Sequence, residues 1–145
     1  MTPGDETRPT TIADVFVYGT LKSGERNSDV VQVQHRRTAR LAHGLLYHLP
    51  APRDFPVLDL ETAGANPIRG ELLRLAEPRR DLQLLDWFEG CSNHVPGGLY
   101  NRSRVLIELD DGSAVEAWVY HLDDRDSLPA GAEPVPDGRW TGREA

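Results

Sequence analysis

Glu89 follows two aromatic residues, Trp87 and Phe88, and precedes Gly90. It ends a run in which Leu82, Leu85 and Phe88 recur at helical spacing, with Leu84 and Trp87 widening the apolar side. Two effects of one sign are expected there. Aromatic neighbours exclude water, and the C-terminal end of a helix presents the negative pole of its dipole. Both lift a carboxyl above its ordinary pKa of about 4.3, the direction general acid–base work requires. Periodicity alone reads the same residue as a surface glutamate before a helix-ending glycine.

A second stretch offers main-chain chemistry. Tyr18-Gly19-Thr20-Leu21 follows the apolar run Val15-Phe16-Val17, so a strand opens into a loop at a glycine. Successive N–H groups of such a loop can converge on a carboxylate or a developing oxyanion. Periodicity also permits an ordinary strand-to-loop turn. Neither GxGxxG nor GxxxxGK[ST] occurs, so this is not a phosphate loop. Tyr100 and Arg102, two apart on an expected strand, face one side. Tyr100 suits the wall of a pocket, and Arg102 suits an ion pair or solvent. The single cysteine, Cys91, stands near His94 without a visible orienting partner, which argues against a thiol protease. His35, His43, His48, His94 and His121 show no HExxH spacing, so no metal site is expected.

The elements that must position these residues follow from the same pattern. Val15 to Tyr18 reads as a buried strand. Asn27 or Ser28 can cap a short helix through Val30, Val31 and Gln34. Residues 38–49 read as one strand bent at Gly44, and Val57–Leu60 as a short edge strand. Ile68–Leu75 alternates as a strand. Pro78 then suits the first turn of the clearest helix, and Gly90 its stop. Tyr100–Leu109 and Ser113–Leu122 form a hairpin across Asp110-Asp111-Gly112. Trp140 is placed to pin the Pro- and Gly-rich end by burial. The sum is an α+β domain with a small mixed, barrel-like sheet and packed helices. Its expected extent is 14–123, between a flexible tail, 1–13, and a C-terminal extension, 124–145.

Composition narrows the partners. The chain has 145 residues and a formal net charge of -7, so nucleic-acid binding is not expected. The basic run His35-Arg36-Arg37 with Arg40, and the pair Arg79-Arg80, read as solvated faces. No apolar run approaches the roughly 20 residues that cross a bilayer. The first residues lack the basic start and apolar stretch of a signal peptide, making the cytoplasm the expected address.

The stretch Val15 to Gly24, VFVYGTLKSG, resembles the γ-glutamylcyclotransferase-like enzymes, including γ-glutamylamine cyclotransferases and AIG2-like proteins. Leu85-Asp86-Trp87-Phe88-Glu89-Gly90 followed by Tyr100-Asn101-Arg102 is similar to that family's second hallmark. Gly70-Glu71-Leu72 and Ala117-Trp118-Val119-Tyr120 match its strand segments, and the resemblance spans roughly residues 15–122. It implies conversion of a γ-glutamyl amine or γ-glutamyl amino acid to 5-oxoproline and a free amine, through attack by the substrate's own α-amino group. It implies no cofactor, Glu89 as acid and base, and Tyr18, Gly19, Thr20, Leu21 and Tyr100 around the substrate. The link Cys91–Leu99 is longer than the family's usual one. It keeps open a second expectation, a non-catalytic binding module for a small carboxylate.

Overall fold

Asp14–Val17 forms strand β1, and all four residues are buried because the strand is covered on both faces. Phe16, with Tyr18 just beyond the strand, packs among Leu72, Ile107, Ala117 and Val119. Val15 and Val17 pack instead with Leu73, Leu75, Leu82 and Leu85. A strand apolar on both sides has no polar alternation, which is why it reads as a continuous hydrophobic run. The computed structural model describes residues 12–22, 25, 28–51, 54–62, 64, 66–89, 100–122 and 128–140. Residues 1–11 of the expected tail 1–13, Gly90 and the link 91–99 lie outside the described residues.

The remaining elements are β2 (Val33–Leu41), β3 (Leu45–Leu49), β4 (Phe55–Asp59), β5 (Ile68–Leu75), α1 (Pro78–Glu89), β6 (Tyr100–Leu109), β7 (Ala114–Leu122) and β8 (Glu133–Pro134). Five strands close a barrel in the order β1-β5-β2-β6-β7, and β4-β3-β8 form a second sheet. The barrel's closing pair, β1 with β7, is parallel, and its other pairs are antiparallel. Gly70 allows the tight approach of β5 to β1, since a Cβ there would meet the Val17 carbonyl oxygen at 2.2 Å. The β6–β7 turn is as expected: Gly112 has φ 88°, and its N–H donates to the Leu109 carbonyl at 3.0 Å.

Two local expectations are corrected. No helix runs from Ser28 to Gln34: residues 28–31 are turn and bend, and β2 starts at Val33. Asn27, the other candidate cap, lies outside the described residues. The capping signal loses to long-range pairing, since β2 lies along β5 from Val33 opposite Leu75 to Leu41 opposite Ile68. Residues 38–49 are likewise two strands in different sheets, with Gly44 between them.

Helix α1 starts as its sequence dictates. Pro78 occupies the first turn, and the Asp81 carboxylate accepts the Glu77 N–H at 2.9 Å. The far end of the chain returns to the domain. The Val135 N–H donates to the Leu46 carbonyl at 2.8 Å. Trp140 is buried in the barrel-side core, and its indole N–H donates to His48 at 2.9 Å.

Candidate active site

The face that α1 turns inward decides where its carboxylates go. Leu82, Leu85 and Asp86 are buried and Glu89 partly so, a stripe at positions i, i+3, i+4 and i+7. Leu84 and above all Trp87, 72% exposed, face outward, with the half-exposed Phe88 at the edge between the two faces. The expected apolar stripe through Leu82, Leu85 and Phe88 is therefore rotated. Trp87 does not supply the water exclusion assigned to it. Two carboxylates take the inward positions, and a buried polar stripe is the informative kind of anomaly.

Asp86 is satisfied there. Its carboxylate takes two hydrogen bonds from Arg102, at 2.8 and 3.2 Å, and one from the Tyr120 hydroxyl at 2.6 Å. The Arg102 guanidinium also lies 4.3 Å from the Trp118 ring centroid. This lattice fixes the last turns of α1 against β6 and β7. Glu89, one turn on from Asp86, is thereby presented to a cavity of about 170 Å³. Its walls include Phe16, Val17, Phe55, Pro56, Phe88 and Tyr120. Tyr18, Gly19, Thr20, Leu21, Glu89 and Tyr100, the six sequence-based site residues, all line it as well.

Burial raises the Glu89 carboxyl to about 7. Three phenols stand around it. Burial first, and the Glu89 charge next, push the Tyr18 hydroxyl well up. Tyr100 is raised by burial, then by Tyr18 and Glu89. Tyr120 is raised by burial and by its bond to Asp86. All three remain protonated, and each proton is committed to the protein. Tyr18 donates to the Tyr120 carbonyl at 2.5 Å, Tyr100 to the Pro56 carbonyl at 2.5 Å, and Tyr120 to Asp86. Toward a ligand these oxygens offer only lone pairs.

The opposite lip is main chain. The Lys22 N–H donates to the Gly19 carbonyl at 3.0 Å, closing a turn over residues 19–22. Among the described residues the N–H groups of Gly19, Thr20 and Leu21 have no backbone acceptor. Gly19 is required by close packing: a Cβ there would meet the Pro56 ring at 2.5 Å. The cavity thus has donors along one lip and a carboxyl with phenol oxygens along the other. No Lys or Arg stands among its described lining residues.

Asp86 and Tyr120 have no place among the sequence-based candidates. Their signal is present, since Asp86 precedes Glu89 by three residues and so shares its helix face. Arg36 departs from the solvated reading of its basic run. It is partly buried and bonded to main-chain carbonyls, whereas Arg37 and Arg40 make half-exposed ion pairs with Asp111 and Glu108. Among the described residues no cluster of His, Cys, Asp and Glu is placed to hold a metal ion, and no helix is long and apolar enough to cross a membrane.

A family model described as "Gamma-glutamyl cyclotransferase, AIG2-like" matches residues 15–142. No curated protein sequence matches the chain. Among solved structures, an AIG2-like protein of Mus musculus is similar with a TM-score of 0.63 at 21% identity, over 91% of this chain and 90% of that one. YkqA of Bacillus subtilis gives 0.61 at 22% identity, over 88% of this chain and 39% of that longer one. A structure described as a gamma-glutamyl cyclotransferase gives 0.61 at 17% identity, over 85% of this chain and 71% of that one. At these identities the likeness establishes a shared fold.

Proposed function

Because the chain belongs to the gamma-glutamyl cyclotransferase, AIG2-like family, we propose that it converts a γ-glutamyl amine or γ-glutamyl amino acid to 5-oxoproline and a free amine. One observation carries the reading: a single cavity joins a carboxyl with a pKa of about 7 to a turn whose residues 19–21 have N–H groups with no backbone acceptor among the described residues.

The chemistry follows from that division. The substrate's α-carboxylate is an acceptor and matches the N–H groups of residues 19–21. Its α-ammonium is a donor and matches Glu89 and the phenol oxygens of Tyr18, Tyr100 and Tyr120. Held at both ends, the γ-glutamyl chain folds so that its nitrogen approaches its own γ-carbonyl, removing much of the entropic cost of ring closure. Glu89 takes a proton from the α-ammonium, freeing the nitrogen lone pair that attacks the γ-carbonyl and forms the new C–N bond. It passes that proton to the departing nitrogen as the original amide C–N bond breaks. The second proton that the ring nitrogen sheds on becoming an amide follows the same route, so the amine leaves as an ammonium. Every atom of both products comes from the substrate. A carboxyl near 7 is suited to both steps, because it lies close to the α-amino pKa of about 8.

Incubating the purified chain with a panel of γ-glutamylamines and γ-glutamyl amino acids, and measuring 5-oxoproline release, tests the proposal. Release from at least one compound is expected. Silence across the panel would end the catalytic reading.

A further inference from the structure

We propose that Arg36, backed by Glu71, is a positioning residue that sets the ligand-binding shape of the 19–22 turn from the barrel wall; the role in substrate binding rests on the cyclotransferase reading above. Arg36 does not line the cavity, so it acts through the turn and touches no substrate. Its Nη1 donates to the Leu21 carbonyl at 3.0 Å and to Glu71 Oε1 at 3.0 Å, and its Nη2 donates to the Ser28 carbonyl. One planar guanidinium therefore grips both ends of the segment from Leu21 to Ser28. A lysine, with a single nitrogen, lacks that fork.

The grip falls on one decisive peptide unit. The Leu21 carbonyl held by Arg36 belongs to the same peptide as the Lys22 N–H, and that N–H closes the turn onto Gly19. Fixing the plane of this peptide fixes the turn, and with it the direction of the N–H groups of the cavity-lining residues 19–21. Glu71 completes the frame. Its backbone stands in register with Val17, the last residue of β1 before the loop, while its side chain holds Arg36. Both ends of the loop are thus referred to two paired barrel strands, β2 and β5.

The same strand supplies a control. Arg40 pairs with Glu108 at the same 3.0 Å, on half-exposed ground. No hydrogen bond from Arg40 to the 19–22 turn is formed among the described residues. Arg36→Met, Arg36→Lys, Glu71→Gln and Arg40→Met would be compared in the full chain for KM and kcat with a γ-glutamylamine, Kd for 5-oxoproline, and exchange of the Lys22 amide. Arg36→Met is expected to raise KM and Kd about tenfold with kcat changed less than about twofold. Glu71→Gln gives the same pattern at about threefold. Arg36→Lys recovers part of the loss, and Arg40→Met matches the wild type. Equal kinetics and equal Lys22 exchange in Arg36→Met and Arg40→Met would overturn the proposal. If the wild-type chain neither turns over γ-glutamyl compounds nor binds 5-oxoproline, the functional reading fails separately. Lys22 exchange then still decides the brace: faster exchange in Arg36→Met alone supports it, and equal exchange refutes it.

Discussion

The two lips of the cavity are built on opposite principles. On the helix side, position is set by side chains: Asp86 is locked by Arg102 and Tyr120, and Glu89 is carried one turn beyond it. On the loop side, position is set by main chain: a turn closed by Lys22, seated on Pro56 at Gly19 and held through the Leu21 carbonyl. A carboxyl must have its environment tuned, so it needs neighbours of specific chemistry. An N–H donor has fixed chemistry and needs only direction. Substitutions on the first lip should therefore change rate and pH response, and those on the second should change affinity.

The largest test of that contrast is Glu89→Gln. It should lower kcat by about 10²–10⁴-fold while 5-oxoproline still binds. Undiminished turnover in steady-state assays would mean that the helix lip is not the chemical one. Asp86→Ala should follow, costing about 3–5 kcal/mol in urea unfolding, because the partly buried Arg102 and the Tyr120 hydroxyl lose their acceptor. A loss below about 1 kcal/mol would put the anchoring of α1 elsewhere.

Next is the pH dependence of stability. Glu89 moves from 4.5 to about 7 on burial, so folding favours its protonated form. That contribution is full below 4.5 and is lost as pH rises through about 7. At pH about 8, Glu89→Gln should exceed the wild type in stability by up to about 3 kcal/mol, and the gap should close below pH about 4.5. Parallel curves for the two proteins would show that the carboxyl stays hydrated. In the active chain kcat/KM should rise with pH through about 7, as the base loses its proton. The smallest expected effect is on the other lip. Gly19→Ala forces a Cβ against Pro56 and should cost about 1–3 kcal/mol, raising KM more than it lowers kcat. A pure kcat defect would erase the distinction between the lips.

Much of this arrangement is legible in residue order, and the gaps have physical causes. β1, β5, α1 and the β6–β7 hairpin are local signals: an apolar run, an alternation, a proline start, a glycine turn. The first part of β2, before residue 38, is not, because its residues are mostly solvent-facing and its strand character comes from its neighbour β5. Arg36 suffers the same way. Within His35-Arg36-Arg37 nothing local separates the arginine that reaches the loop from the one that meets Asp111. Glu89 is legible as a candidate, but for a partly mistaken reason. Trp87 stands in solvent, and cavity-lining phenols from distant strands surround the carboxyl instead. Sequence adjacency is a poor guide to enclosure when a helix rotates consecutive residues through about 100°.

The parallel pairing of β1 with β7 gives the chain a late-closing seam. Val15 meets Trp118 across about a hundred residues of intervening chain, and the cavity opens at the exit of β1 from that seam. During synthesis the loop lip emerges early, while β7, with Tyr120, must follow before the ring can shut. Until then β1 has an open edge and two apolar faces, the kind of strand that pairs with the wrong neighbour. Recovery of pocket-dependent properties during refolding should accordingly trail formation of the local β6–β7 hairpin.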